Sequence, residues 1–302
     1  MNYIWSLKNY LTSYMKKLFL ILILSAAQFL TLAQDKQFQF EFLPEGMHFL
    51  PLRANYQEAH MGIMYYPSNA NLKVDIGNSM DVLGFHFGED IFISVGAEFM
   101  AYGLSTSFGG NRLQIDALDG FFGGNASMSI KYSETSKLIG RFRIIHNSAH
   151  LVDGSYLKDS KTWKNNYEPI PYTEDFGELI VGHEFLTDKI LTRYYGLVSY
   201  STLVRPSNLK KWVGGFGFES AYTKIFSFLN KDANLFAAYH FNLDGTSEYE
   251  GNNSIKLGIK FGEWHNKGVS FYLSYYSGRN PFSEFYFQKV NRFGLGFLFE
   301  FI

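Results

Sequence analysis

"NSIKLGIKFG", residues 253–262, places Ile255, Leu257, Ile259 and Phe261 on one side of an extended chain. Lys256, Gly258, Lys260 and Gly262 fall on the other side, because successive side chains of a β-strand point to opposite faces. A half-buried strand of a soluble sandwich alternates in the same way, so one such stretch does not decide the fold. Recurrence does. "RFGLGFLFEFI", residues 292–302, sets Phe293, Leu295, Phe297, Phe299 and Phe301 against Gly294, Gly296, Leu298 and Glu300. "NASMSIKY", residues 125–132, sets Ala126, Met128, Ile130 and Tyr132 against Asn125, Ser127, Ser129 and Lys131. The pattern predicts about twelve strands, near 57–66, 79–87, 91–102, 121–132, 137–148, 176–186, 189–203, 212–223, 233–242, 253–262, 268–277 and 285–301.

The links between these segments sort by parity. Those after even-numbered segments are short, as in "GED", "SETS" and "TD". Those after odd-numbered segments include 103–120, 149–175 and 243–252, which are longer and rich in Gly, Asn, Asp and Ser. A sandwich gives no reason for such sorting. A membrane barrel does, with tight periplasmic turns and longer outer loops. The expected fold is therefore all-β, a transmembrane antiparallel β-barrel of about twelve strands in a bacterial outer membrane. The C-terminal strand has the alternating aromatics that barrel assembly machinery reads, with one residue, Ile302, beyond the last aromatic.

Composition agrees with this class. Of 302 residues, 19% are aromatic, with 31 Phe and 21 Tyr, yet the mean hydropathy is only −0.11. No later apolar run reaches the eighteen residues of a membrane helix. A net charge of −1 gives nucleic acid no electrostatic footing. The absence of cysteine excludes disulfides, thiolate metal sites and a lipoprotein anchor. "MKKLFLILILSAAQFLTLAQ", beginning at Met15, has the two lysines, apolar stretch and small-residue end of a secretory signal. Cleavage is expected after Ala33. Removing residues 1–33 takes away three lysines and no acid, leaving a mature charge of −4. The expected organisation is a signal peptide over 1–33, an N-terminal periplasmic segment over 34–56, and the barrel over 57–302. Within 34–56, "QFQFEFLPEGMHFL" reads either as a short strand or as a plug.

Placing each apolar face against lipid sends eleven charges inward. The acids are Glu98, Glu178, Glu184, Glu219 and Glu300; the bases are Lys131, Arg141, Arg143, Arg193, Lys256 and Lys260. Such balance suits a network of ion pairs filling the lumen, since buried charges pair or stay hydrated. A pore selective for one sign of ion has one charge in excess. A small-solute channel would instead need a water path past Arg141, Arg143 and Glu219.

"RFRIIHNSAHLVDGSYL", residues 141–157, adds a second possibility. Phe142 and Ile144 belong to the apolar face, and the same parity carries His146, Ser148 and His150 to the lipid side, near the outer end of the strand. A polar group there is costly in the bilayer centre and cheaper at the interface. The spacing suits interface polarity, or a serine nucleophile with its histidine base in an enzyme whose lipid substrate arrives sideways. Asp153, Asp159 and Asn165 are the candidates for an orienting third group, with Asp153 the nearest in sequence. "HNS" resembles the His-x-Ser of outer membrane phospholipase A and of lipid A 3-O-deacylase, although Ala149 stands where both have Asn. A longer resemblance is to a bacterial family known as domain of unknown function 1207. It is carried by residues 141–157, "FLPLRANYQEA", "RYYGLV", "LKKWVGGFGFE", "NLFAAYHFNLD" and the C-terminal "YYSGRNPFSEFYFQKVNRFGLGFLFEF". That resemblance implies an outer-membrane barrel and no established chemistry. Gly154 stands where the family has Glu.

His48, His60, His86, His183, His240 and His265 lack ligand spacing, so no metal and no cofactor is expected. Trp163, Trp212 and Trp264 are expected in interface belts. The reading is thus a barrel with a largely filled lumen and a non-enzymatic role at the surface. Lipid hydrolysis by Ser148 and His146 and small-solute passage are the alternatives. Outer-membrane lipids and the assembly machinery are the expected partners.

Overall fold

Every one of the twelve alternating segments is a strand in the computed structural model, which describes residues 37–108 and 112–301. In chain order after β1 (Phe38–Phe42) come β2 (Met61–Tyr66), β3 (Asn71–Phe87), β4 (Ile91–Phe108), β5 (Arg112–Ser133) and β6 (Ser136–Leu151). The tiny hairpin β7 (Tyr156–Leu157) and β8 (Thr162–Trp163) interrupts the long outer loop. Then follow β9 (Tyr172–Thr187), β10 (Ile190–Arg205), β11 (Trp212–Phe228), β12 (Lys231–Gly245), β13 (Tyr249–Gly262), β14 (Gly268–Arg279) and β15 (Lys289–Glu300). Each barrel strand pairs antiparallel with the next, and β15 pairs with β2 from Leu295–Tyr65 to Phe299–Met61, closing twelve strands into a barrel. The expected signal peptide, residues 1–33, lies outside the described residues.

The outer wall is apolar all round. Ile76, Phe99, Phe142, Val181, Phe216, Leu257, Phe271 and Leu295 are all exposed on it. A continuous apolar band of this extent is stable only against hydrocarbon. Closure satisfies the backbone that lipid cannot. Among the described residues no helix is long and apolar enough to cross a membrane; the strands do so. The chain is a bacterial outer-membrane β-barrel.

Several outer links are shorter than expected. Residues 71–78 belong to β3, most of 103–120 to the β4–β5 hairpin, and most of 243–252 to the β12–β13 hairpin. The outer faces of these extensions still carry Ile76, Leu113, Ile115 and Leu118, but the period slips at a bulge around Asp116, and inward polar residues such as Asp75, Asp116 and Asp119 are buried.

The segment before the barrel divides differently from the 34–56 unit expected. β4 occupies one edge of β3 over its whole length, from Asn71–Thr106 to Phe87–Ile91. On the other edge β2 pairs with Asn71 to Asp75, and β1 pairs with Leu83 to Phe87. β1 and β2 are therefore the lower and upper halves of one interrupted strand. Residues 43–60 leave the wall between them, and from His48 onward they pack inside the barrel.

Candidate functional site

The interior is built around that insertion. Phe49 packs among Ile139, Ile180, Tyr195 and Leu197, from β6, β9 and β10. Arg193 donates to the carbonyls of Leu50 (2.8 Å) and Pro51 (3.2 Å) and to Glu219 (2.5 Å). The Arg53 amide donates to Glu219 (2.6 Å), and its guanidinium forks onto Glu300 (3.1 and 3.2 Å). That guanidinium also lies 4.0 Å over the ring of Trp264. Lys260 donates to the same Glu300 carboxylate. Further along, Arg141 forks onto Glu58 (2.8 and 2.5 Å). Arg143 reaches Glu178 (2.6 Å), Glu98 (3.1 Å) and the carbonyl of Gln57 (2.9 Å). The irregular backbone of 48–60 is viable here because it is buried in protein, with its polar groups met by side chains.

Arg141, Arg143 and Glu219, expected at the lumen, thus all bind or flank the insertion. Ten of the eleven expected inward charges are buried or nearly so; Lys131 instead sits at the periplasmic rim, donating to Glu134 (2.6 Å). Glu58 and Arg53, the partners from the insertion, carry no strand periodicity and were not singled out in the sequence. Trp264 is not in an interface belt. It turns inward, because Arg53 offers its ring a cation–π contact.

The outer loop 280–288 closes the upper end. Phe282 is fully buried against Tyr102, Phe121 and Ile145, and Tyr102 donates its hydroxyl to the carbonyl of Pro281 (2.9 Å). The Ser283 amide donates to Asp119 (2.9 Å). Tyr56 of the insertion meets Tyr276 edge-on at 5.8 Å.

On the outer wall, β6 keeps its period to its end. Arg141, Arg143, Ile145, Asn147 and Ala149 are buried, while His146 and Ser148 are half-buried and His150 exposed on the opposite face. Among the described residues no hydrogen bond joins His146 to Ser148. The His146 Nδ1 instead meets Asp175 Oδ1 at 2.5 Å, across the register pair His146–Asp175 of β6 and β9. Asp153 is exposed in a 3-10 turn beyond the strand and has no such contact; the carboxylate beside His146 is that of Asp175. Extending the outward parity of Leu179 and Val181 back to position 175 would have found it. At Gly154, where the resembled family has Glu, a Cβ would collide with the carbonyl oxygen of Ile115, so no side chain fits this backbone. Below His146 the wall has a recess lined by Val95, Phe122, Gly124, Ala126, Phe142 and Ile144.

Among the described residues no cluster of three or more metal-binding side chains occurs. No curated relative matches the chain. Solved structures that resemble it include the β domain of the Bordetella autotransporter BrkA, at 10% identity and TM-score 0.42, covering 80% of this chain and 97% of that one. The Pseudomonas putida toluene transporter TodX has 8% identity and TM-score 0.42, over 76% of this chain and 69% of that one. LpxR from Salmonella typhimurium has 10% identity and TM-score 0.34, over 76% and 88%. Likeness at this level says nothing of chemistry. A family profile, by contrast, matches residues 24–301, nearly the whole chain. On that match, the chain belongs to the family described as proteins of unknown function, DUF1207.

Proposed function

We propose that this barrel is a closed, non-enzymatic one, with a binding or structural role at the cell surface rather than conduction. The observation that carries this is the double anchoring of residues 43–60. β1 enters the wall before them and β2 re-enters after them, so the insertion cannot swing out from one end. Glu58, Arg53 and the carbonyls of Leu50, Pro51 and Gln57 hold it to four wall strands, β6, β10, β11 and β15. A small-solute channel needs water past Arg141, Arg143 and Glu219, and those side chains are committed to the insertion or to one another. In planar bilayers the purified protein should show no unitary conductance; a steady open level from wild type would overturn the closed lumen.

A lipid-directed serine hydrolase is a second reading, favoured by the His146–Asp175 contact. With Nδ1 held by the carboxylate, His146 presents Nε2 as the base that takes the Ser148 proton when Oγ attacks an ester carbonyl. The recess below His146 would take the acyl chain. The serine stands two residues along the strand, so its hydroxyl must turn toward the ring when substrate arrives. Acyl release from phospholipid or lipid A vesicles, lost in Ser148→Ala and His146→Ala and depressed in Asp175→Asn, would establish this reading. Wild type silent on both lipids, with calcium present, would eliminate it.

A further inference from the structure

A cavity of about 300 Å³ opens at the outer mouth, between the β2–β3 turn, the long loop after β6 and the loop 280–288. Arg292, four residues into β15, borders it. This side chain is only 8% exposed. Among the described residues no carboxylate lies within ion-pairing distance of it, and its Nη1 is buried without a hydrogen-bond partner. Tyr66 hydrogen-bonds the guanidinium, and the rings of Tyr66 and Phe282 lie 5.3 and 5.7 Å from its carbon, but neither side chain brings a negative charge. Among the described residues the other buried or part-buried arginines, Arg53, Arg141, Arg143, Arg193 and Arg279, each have a carboxylate at 3.1 Å or less. Arg292 is the exception, and a buried guanidinium without a counter-charge is costly.

The rest of the lining says what would supply that charge. Lys164 and Asp116 also border the cavity, but they neutralise each other at 2.9 Å. One positive charge is left over. Around it stand the amides of Asn71 and Gln288, and the ring of Tyr167, which lies 6.4 Å from that of Phe285. A guanidinium fork suits a single carboxylate. Amides suit hydroxyls, and an aromatic ring suits the apolar face of a sugar.

The geometry points to a binding site for a sugar acid, a hexuronate, with its carboxylate on Arg292 and its hydroxyls on the amide rim. This deepens the surface-binding role proposed above and rests on it only in that the ligand stays at the mouth instead of passing through.

The test is calorimetric titration of the refolded full-length barrel with glucuronate, beside glucose, which has the same ring without the carboxylate. Glucuronate is expected to bind and glucose not. Arg292→Gln should weaken glucuronate binding about tenfold or more, the scale of a lost charge-assisted hydrogen bond, while Arg292→Lys should keep part of it. Folding of each variant is read from its heat-shifted gel migration. Should Arg292→Gln not fold, Gln288→Leu on the rim supplies the comparison, with a weakening of severalfold expected. Absence of glucuronate heat from wild type, equal binding of glucose, or unchanged affinity in the folded variants would each overturn the site. Conductance separates the two readings: glucuronate binding to a conducting barrel leaves this site and removes the closed lumen, and silent bilayers without glucuronate binding do the reverse.

Discussion

Arg141→Met is the sharpest probe of the insertion. The wild-type guanidinium binds both oxygens of Glu58, at 2.8 and 2.5 Å, and the two side chains are 4% and 1% exposed. Arg143 already serves Glu178 and Glu98, and the other contact of Arg141, to Glu178, is longer at 3.5 Å. Removing Arg141 therefore strands a buried carboxylate on the insertion and leaves three acids facing one arginine. Breaking one side of a buried pair costs about 3–5 kcal/mol. A direct Coulomb figure, about 4 kcal/mol at 4 Å and an effective dielectric of 20, agrees. The folding equilibrium should thus shift about a thousandfold toward the unfolded state, read as a lowered urea midpoint in lipid vesicles. Adding Glu58→Met removes the stranded charge, and the double variant should recover to within about 1–2 kcal/mol of wild type. A single variant as stable as wild type, or a double variant no better than the single, would refute the placement of 48–60 inside the lumen.

Three further outcomes follow from the same geometry. Leu257→Arg puts a charge on the lipid face of β13, where Leu257 is half exposed, and should cost about 2–4 kcal/mol in vesicle unfolding; a neutral result would mean that this face does not meet hydrocarbon. Phe282→Ala empties a fully buried site under the outer loop and should cost about 3–5 kcal/mol, with faster proteolytic nicking of 280–288; an unchanged nicking rate would mean the loop is not docked by this ring. Gly296 packs directly beneath the ring of Tyr272, so Gly296→Val should cost about 1–3 kcal/mol by overpacking, and wild-type stability in that variant would deny the contact.

The wall was legible because lipid imposes a period of two. Ile255 to Phe261 and Phe293 to Phe301 each have one solvent to satisfy, and the alternation shows it. Where the period slips or turn-forming residues crowd in, legibility stops: Asp116 lies at a bulge between β4 and β5, and Asp75 and Asp119 stand near glycines and read as loop residues. The insertion was harder for a different reason. Glu58 and Arg141 are 83 residues apart, and the chain around Glu58 has no repeating geometry to betray its partner. The outward placement of His146 and Ser148 followed from parity alone. Asp175 escaped because it lies one residue before the stretch assigned to its strand, and a cross-strand partner is set by register, which a single sequence does not display.

The interrupted first strand also dictates an order of assembly. A segment tied into the wall at both ends cannot be threaded into a finished cylinder. Residues 43–60 must lie over the inner face of the growing sheet before β15 meets β2. That seam is short, five register pairs, as between β2 and β3, against twelve between β14 and β15. The closing seam thus shuts over cargo already in place, so Phe49, Arg53 and Glu58 act as an internal template on which the sheet curls. A chain lacking 43–60 should stall as an open sheet at this seam, and the insertion belongs as much to how the cylinder is made as to what the finished cylinder excludes.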